Sequence, residues 1–357
     1  MSDLNLAPKP EQPSLIAPIV VIVLMLTALG MLLVLKNNPG ALGASFSPPT
    51  PPPSPTLTPT PSNTPTTTPT PLPTLTATST VRASATATRT STATPTITAT
   101  PTPTPPPDHY WLRRPLGPDA VDRSVARFYP YGSRGDGTYF LHHGVDMVNP
   151  MGTQVLAAAD GTVVVVGDDL NEVHGARTNF YGNLIVIRLD REYEGKPLFT
   201  LYGHLSKMDV EIGQKVQAGD VLGEVGMTGV AMGPHLHFEI RVGENLYANT
   251  RNPELWIEPL EGRGTIAGRL VDVTGTFIPE TLITVHLASA PDERWQETST
   301  YPREEVNPDD DWRENFVLGD VPSGNYVLRT QVGEHYYAVD AEVEEGKTTL
   351  VIIQTAD

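Results

Sequence analysis

From Asp108 to Gly262 the apolar positions fall in short runs, several alternating with polar ones, and glycine interrupts them. The runs are GTVVVVG (161–167), NLIVIRL (183–189), PLFTLYGH (197–204), VLGEVG (221–226) and HLHFEIRV (235–242). Strong helical spacing is absent, so residues 108–262 predict a mainly antiparallel β domain. A second series begins at Arg263: TIAGRLVDV (265–273), LITVHLAS (282–289), ENFVLGDV (314–321), NYVLRTQV (325–332), YYAVDAEVE (336–344) and TTLVIIQ (348–354). Turn signals VTG, PSGN and EEGK separate these runs, which predicts a small β-sandwich over residues 263–357.

Upstream the pattern changes twice. Residues 15–35, LIAPIVVIVLMLTALGMLLVL, hold no charge over 21 positions. A helix of that length crosses a hydrocarbon core of roughly 30 Å, which predicts a membrane anchor helix with residues 1–14 as a cytoplasmic tail. A cleaved signal peptide is the other reading. Its apolar region usually runs about 7–15 residues, shorter than this one, although Ala41 and Gly43 offer small residues for cleavage. Ser47–Pro107 then carries 18 of the chain's 36 prolines and 23 threonines, with Arg82 and Arg89 as its only charges. Too little apolar surface is present to offset the entropy of ordering, so residues 36–107 read as a disordered Pro/Thr/Ser linker. The order is anchor, spacer, folded cargo, and it predicts a single-pass protein whose C-terminal domains lie outside the cytoplasm.

Composition narrows the chemistry. The net charge of −17 argues against nucleic acid as a partner. There is no cysteine, which excludes a disulfide framework, thiolate zinc and a cysteine nucleophile. A metal site must be built from His, Asp or Glu.

The histidines supply such a set. In His235-Leu236-His237 the two imidazoles of a strand share one face, while Leu236 and Phe238 point to the other. Taken alone, this pair also suits an ordinary surface strand. His142 and Asp146 add a second imidazole and a carboxylate four residues apart, with Gly144 between them to curl the loop. Two His and one carboxylate leave a fourth tetrahedral position open, the layout of a catalytic zinc site. Zinc would acidify a water and polarise a carbonyl, and His204 and His235 are free to take the proton. The same donors also form the facial triad of non-haem iron oxygenases, a cupin-type site that would leave His204 unexplained.

HHGVD (142–146), LYGHLS (201–206) and GMTGVAMGPHLHFEIR (226–241) resemble the lysostaphin-like, or LytM-type, zinc endopeptidases. GTQVLAAADGTVVVVG (152–167), YGNLIVI (181–187) and VEIGQKVQAGDVLGEVG (210–226) extend the resemblance over about Pro115 to Ile257. It implies His142, Asp146 and His237 as ligands of one zinc ion per chain. It implies His235 as general base, with His204 stabilising the oxyanion or sharing proton transfer. The implied activity is hydrolysis of peptidoglycan cross-bridges or stem peptides, so wall peptides are the expected partner. Some relatives only bind or regulate, and a silent wall-binding scaffold or hydrolase activator is the alternative. Val230-Ala231-Met232 departs from relatives that carry Ser and Thr there, making the cleft rim more apolar.

Other residues carry weaker signals. His143 is expected to face outward or to support the site, and His174 to lie in solvent on a cleft-side loop (167–181). Glu239 shares the face of His235 and His237, where it orients an imidazole or forms a peripheral salt bridge. GRLVDVTG and FVLGDVPSGNYVLRTQ resemble carboxypeptidase-regulatory-like or transthyretin-like modules, with a wall or protein partner expected. Asp309-Asp310-Asp311 reads as a calcium site or a solvated acidic loop. Trp295, Tyr301 and Trp312 read as a ligand-binding face or as cover for the sandwich end.

Overall fold

A computed structural model of the chain describes residues 105–356 except 136 and 304. The expected tail, anchor helix and all but the last three linker residues lie outside the described residues. Among those described, no helix is long and apolar enough to cross a membrane.

Among the described residues seventeen strands follow one another: β1 (Val145–Val148), β2 (Gln154–Leu156), β3 (Gly161–Asp168), β4 (Asn183–Tyr193), β5 (Lys196–Gly203), β6 (Lys207–Met208), β7 (Lys215–Val216), β8 (Val221–Glu224), β9 (His235–Val242), β10 (Thr250–Arg251), β11 (Arg263–Val271), β12 (Leu282–Leu287), β13 (Arg294–Ser299), β14 (Phe316–Pro322), β15 (Gly324–Val332), β16 (His335–Val343) and β17 (Thr348–Gln354). An antiparallel sheet runs β1-β9-β5-β4-β3-β7, with β10 also on β9, and a small sheet β2-β8-β6 lies beside it.

Strand β4 shows why the central sheet is stable. Its run NLIVI buries both faces: Ile185 and Ile187 enter the main core, and Leu184 and Val186 pack with Tyr181 and Leu201 on the other side. Strand β9 divides its faces differently. Leu236, Phe238, Ile240 and Val242 enter the core, while His235, His237, Glu239 and Arg241 occupy the opposite face. That polar face is itself buried, which only a fully paired set of charges can tolerate.

The C-terminal residues form a sheet β14-β11-β17 and a second, β13-β12-β15-β16. Ile266, Phe316 and Val351 of the first meet Val285, Leu328 and Val343 of the second in one apolar cluster. Two features go beyond the sequence reading. β11 and β17 pair in parallel, and β13 (RWQETS) is a strand although its sequence is polar. It lies at a sheet edge and buries only Thr298, so it needs few apolar side chains.

The sequence break at Gly262 is not a break in packing. Ala267, Trp312 and Val317 join the same core as Leu112, Leu255 and Trp256. Arg114 pairs with Asp320, and Glu254 accepts from Arg127 at 2.7 Å and from the Gly319 amide at 3.0 Å. Trp312 and Tyr301 are therefore core side chains, not an exposed ligand-binding face.

Candidate metal centre

Strand register builds the centre. In the β1–β9 ladder Asp146 lies directly opposite His237, while Val145 and Met147 on the other face of β1 enter the core. One turn of chain before β1, His142 turns back over the same spot. Gly144 allows this by its lack of a side chain. A Cβ there would sit 2.5 Å from the Phe238 carbonyl and 2.8 Å from the His237 ring. The expectation that Gly144 supplies an unusual φ is corrected: it is absent from the positive-φ glycines, and close approach is the reason for it.

Three donor atoms converge. His142 Nε2 lies 3.1 Å from Asp146 Oδ1 and 3.2 Å from His237 Nδ1, and His237 Nδ1 lies 3.0 Å from Asp146 Oδ1. Ligands about 2.0–2.1 Å from a tetrahedral zinc stand roughly 3.3 Å apart, so this donor set fits that ion. All three residues are buried.

The other ring nitrogens are fixed from behind. His142 Nδ1 donates to the Tyr129 carbonyl at 2.6 Å, and the Tyr129 ring stacks on the imidazole with centroids 4.0 Å apart. His237 Nε2 donates to Glu239 Oε1 at 3.1 Å. Arg241 Nε holds Glu239 Oε2 at 2.7 Å, and the Tyr181 hydroxyl donates to Oε1. Glu239 thus orients an imidazole, one of its two expected roles, as partners behind metal-ligating histidines do. Tyr129 had no signal in the sequence, and Tyr181 entered only as the first residue of YGNLIVI, with no role assigned. Tyr181 is held in turn by Asp169, whose Oδ2 accepts from the Phe180 and Tyr181 amides at 2.8 Å each.

The fields agree with this wiring. Burial pushes the His237 imidazole down, but hydrogen bonds and charge from Asp146 and Glu239 outweigh it and raise it to about 9. Burial would raise Asp146, yet His142 and His237 hold it well below the usual carboxylate range. Arg241 and His237 likewise overcome burial at Glu239 and hold it at about 2. Positive charge is favoured where the three donors meet.

His204 and His235 stand beside the centre, their ring centroids 4.7 Å apart. His235 Nδ1 donates to the Gly233 carbonyl at 2.8 Å, and its Nε2 lies 3.5 Å from Asp146 Oδ1. His204 Nδ1 donates to the Thr228 carbonyl at 2.8 Å. Its backbone adopts φ of 64°, a left-handed conformation that costs a non-glycine residue about 1–3 kcal/mol. Burial, then the charges of His237 and His235, push its imidazole down to about 3.

For His143 one of two expected placements is excluded, and His174 differs from expectation. His143 is buried, stacked on Tyr247 at 3.8 Å with Nδ1 3.0 Å from Thr250 Oγ1, and burial lowers it to about 4. It does not face outward. The His174 side chain is only 9% exposed, and its carbonyl accepts from Arg241 at 3.0 Å.

An open cleft of about 550 Å³ leads to the centre, lined by Phe128, Tyr129, Phe140, Phe180, Val230 and Met232. Residues 140–250 match the family model Peptidase family M23. The chain carries a domain of that family. Over 105 residues it is 41% identical to the DD-carboxypeptidase/endopeptidase Mpg of Neisseria meningitidis serogroup B, covering 29% of this chain and 21% of Mpg. Over 114 residues it is 38% identical to the peptidoglycan DD-endopeptidase ShyC of Vibrio cholerae, covering 32% and 23%. This chain therefore spans about a fifth of the length of the curated relatives it matches. The catalytic domain of the antimicrobial peptidase lysostaphin from Staphylococcus simulans is 29% identical, with 36% of this chain and 88% of that domain covered and a TM-score of 0.30.

Proposed function

We propose that the chain is a zinc metalloendopeptidase that hydrolyses peptide bonds in peptidoglycan, with His142, Asp146 and His237 as zinc ligands. The observation that carries this is the convergence of three donor atoms within 3.2 Å of one another, beside two histidines, at the end of an open cleft. The M23 match and the names of Mpg and ShyC support the reaction class.

When bound, zinc supplies a Lewis acid for the scissile carbonyl and lowers the pKa of a water toward about 7. The remaining work falls to the protein. Because His235 Nδ1 is committed to the Gly233 carbonyl, its Nε2 holds the lone pair and accepts a proton from the attacking water. The same nitrogen then returns that proton to the leaving amine. His204 has the same tautomer, imposed by the Thr228 carbonyl, and burial keeps it neutral. Its Nε2 is thereby held beside His235, where it would stabilise the oxyanion or share proton transfer. The Gly233 and Thr228 carbonyls fix the orientation of the two rings.

Residues 15–35 as anchor and 36–107 as tether would hold the enzyme to the membrane, with the domains outside the cytoplasm. The C-terminal sheets would form a transthyretin-like module, and the core they share with the peptidase domain favours a stabilising role for it.

Muropeptide mass spectrometry of digested peptidoglycan tests the activity. New fragments should appear with the intact chain and vanish with a zinc chelator and with His235→Ala. A His235→Ala chain that still cuts would overturn the assignment of the base, and no cutting by the intact zinc-loaded chain would favour a binding scaffold.

A further inference from the structure

The acidic triplet 309–311 lies in the loop between β13 and β14 and is not a solvated run. Its three carboxylates part company: one meets cations and two turn toward His109. Asp310 is neutralised by Lys196 and Arg251, each at 2.9 Å. Asp309 is fully buried, with Oδ1 accepting from the Asp311 and Trp312 amides at 3.0 and 3.1 Å. Its other oxygen, Oδ2, makes no hydrogen bond. Asp311 points to the same place with its side chain 35% exposed.

Facing these two carboxylates is His109, 2% exposed and some 200 residues away in sequence. Its ring is enclosed by Trp111, Tyr193 and Trp256, with centroids 5.8, 5.6 and 4.2 Å away. Neither ring nitrogen makes a hydrogen bond. Yet Nε2 is 3.1 Å from Asp309 Oδ2, and Nδ1 is 4.0 Å from Asp311 Oδ2. A metal ion does not lie on the line between its ligands. It sits at the apex of a triangle, and donors about 2.0–2.2 Å from an ion are spaced close to this distance when they subtend roughly 90–110°.

We propose that His109, Asp309 and Asp311 form a second metal site for a divalent transition-metal ion such as zinc. One donor atom from each residue lies within 4.8 Å of the others. Asp309 lies by Nε2 and Asp311 by Nδ1, so the Asp311 side chain, 35% exposed, must swing toward the Nε2 side to share one ion, and it marks the side from which ion and water ligands enter. The imidazole selects against calcium, which takes oxygen ligands, and favours an ion that accepts both nitrogen and oxygen. The site clasps the segment before the peptidase domain to the loop that precedes β14. It shares no residue with the centre at His142, Asp146 and His237.

Zinc counting on the untagged full-length chain tests this. The chain is stripped with a chelator, dialysed against zinc, and its metal content measured. Two zinc ions per chain are expected in the native sequence and one in the double variant Asp146→Ala/His237→Ala. In that background His109→Gln and, separately, Asp311→Asn should weaken the remaining zinc at least tenfold. Asp311→Asn changes a partly exposed side chain, so it reads the site even if His109→Gln fails to fold. Zinc should also raise the melting temperature of the double variant. One zinc in the native chain and none in the double variant would overturn the proposal. So would a remaining zinc that neither loop nor His109 substitution weakens, or a site that takes calcium in preference to zinc. Loss of peptidase activity does not enter this count, so failure of the catalytic reading would leave it standing.

Discussion

Gly144→Ala tests how the metal centre is assembled. A Cβ at this position would lie 2.5 Å from the Phe238 carbonyl oxygen, against about 3.4 Å for ordinary contact. The obstacle is backbone of β9, buried in the sheet, so no side-chain rotation relieves it. The loop bearing His142 must lift by about 0.9 Å, or β9 must yield, and overpacking of this kind costs about 1–3 kcal/mol. At roughly 2–4 °C per kcal/mol for a domain of this size, the melting temperature should fall by about 2–12 °C. The displacement acts directly on the His142–His237 pair. A misplacement near 1 Å typically costs about 100-fold in rate, so muropeptide release should fall by that order. Gly233→Ala is the control, because it adds the same methyl group beside His235 and meets nothing within 4 Å. Its φ is outside the left-handed range, so it should leave stability unchanged or raise it by up to about 1 kcal/mol. Calorimetry in chelator and zinc content after reloading separate folding from metal binding. Native melting and turnover in Gly144→Ala, or equal damage in Gly233→Ala, would refute the close-approach argument.

Three further outcomes are expected. Glu239→Ala removes the partner of a fully buried Arg241 and should destabilise the chain by about 3–5 kcal/mol, while Glu239→Gln should cost less and lower zinc affinity about 10–100-fold; calorimetry and zinc titration check both. Burial, then the nearby Asp309 carboxylate, raise the Glu314 carboxyl from 4.5 to about 8, so the folded chain binds a proton that the unfolded chain releases. That contribution is full below pH 4.5 and is lost as pH rises toward about 8, so in chelator the melting temperature of Glu314→Gln should gain on the native chain between about pH 5 and pH 8, and a constant difference would refute it. Truncation after residue 262 should uncover Leu112, Leu255 and Trp256 and lower the melting temperature of what remains, as thermal unfolding of the two lengths would show.

Legibility in the sequence follows physical locality. HLHFEIRV shows both faces of β9 in its own alternation, so those eight residues alone specify the strand and the shared face of His235 and His237. The pairing of Asp146 with His237 is legible only through the family resemblance, since it depends on a ladder between segments 91 residues apart. The roles of Tyr129, Tyr181 and the Gly233 and Thr228 carbonyls are not legible there, because an aromatic or a backbone oxygen leaves no spacing signal. Gly144 stands out in the sequence for the wrong reason: a sequence shows that glycine is present, not whether φ or a close neighbour demands it. His109 stands apart from the histidine motifs in the sequence, and Asp309 reads there as part of a calcium site or a solvated acidic loop. Only the packing of Trp256 and Trp312 in a common core shows that both are buried and face one another.

One period-two pattern carries most of the candidate chemistry. Along the polar face of β9 the order is His235, His237, Glu239, Arg241. Arg241, wholly buried, holds Glu239 ionised, and an ionised Glu239 can only accept a hydrogen bond from His237 Nε2. That bond fixes the ring so that Nδ1 faces Asp146 and His142. The next position toward the open end, His235, is the first on this face without a side-chain partner behind it, and a carbonyl two residues upstream orients it instead. Charge therefore alternates down the strand from a buried guanidinium to the place where a cation is favoured, and ends at a base next to the cleft. A one-residue slip of β9 against β1 would move all four groups to the apolar face and replace them with Leu236 and Phe238. The same register that excludes water from the core is what sets the histidine tautomers at the centre.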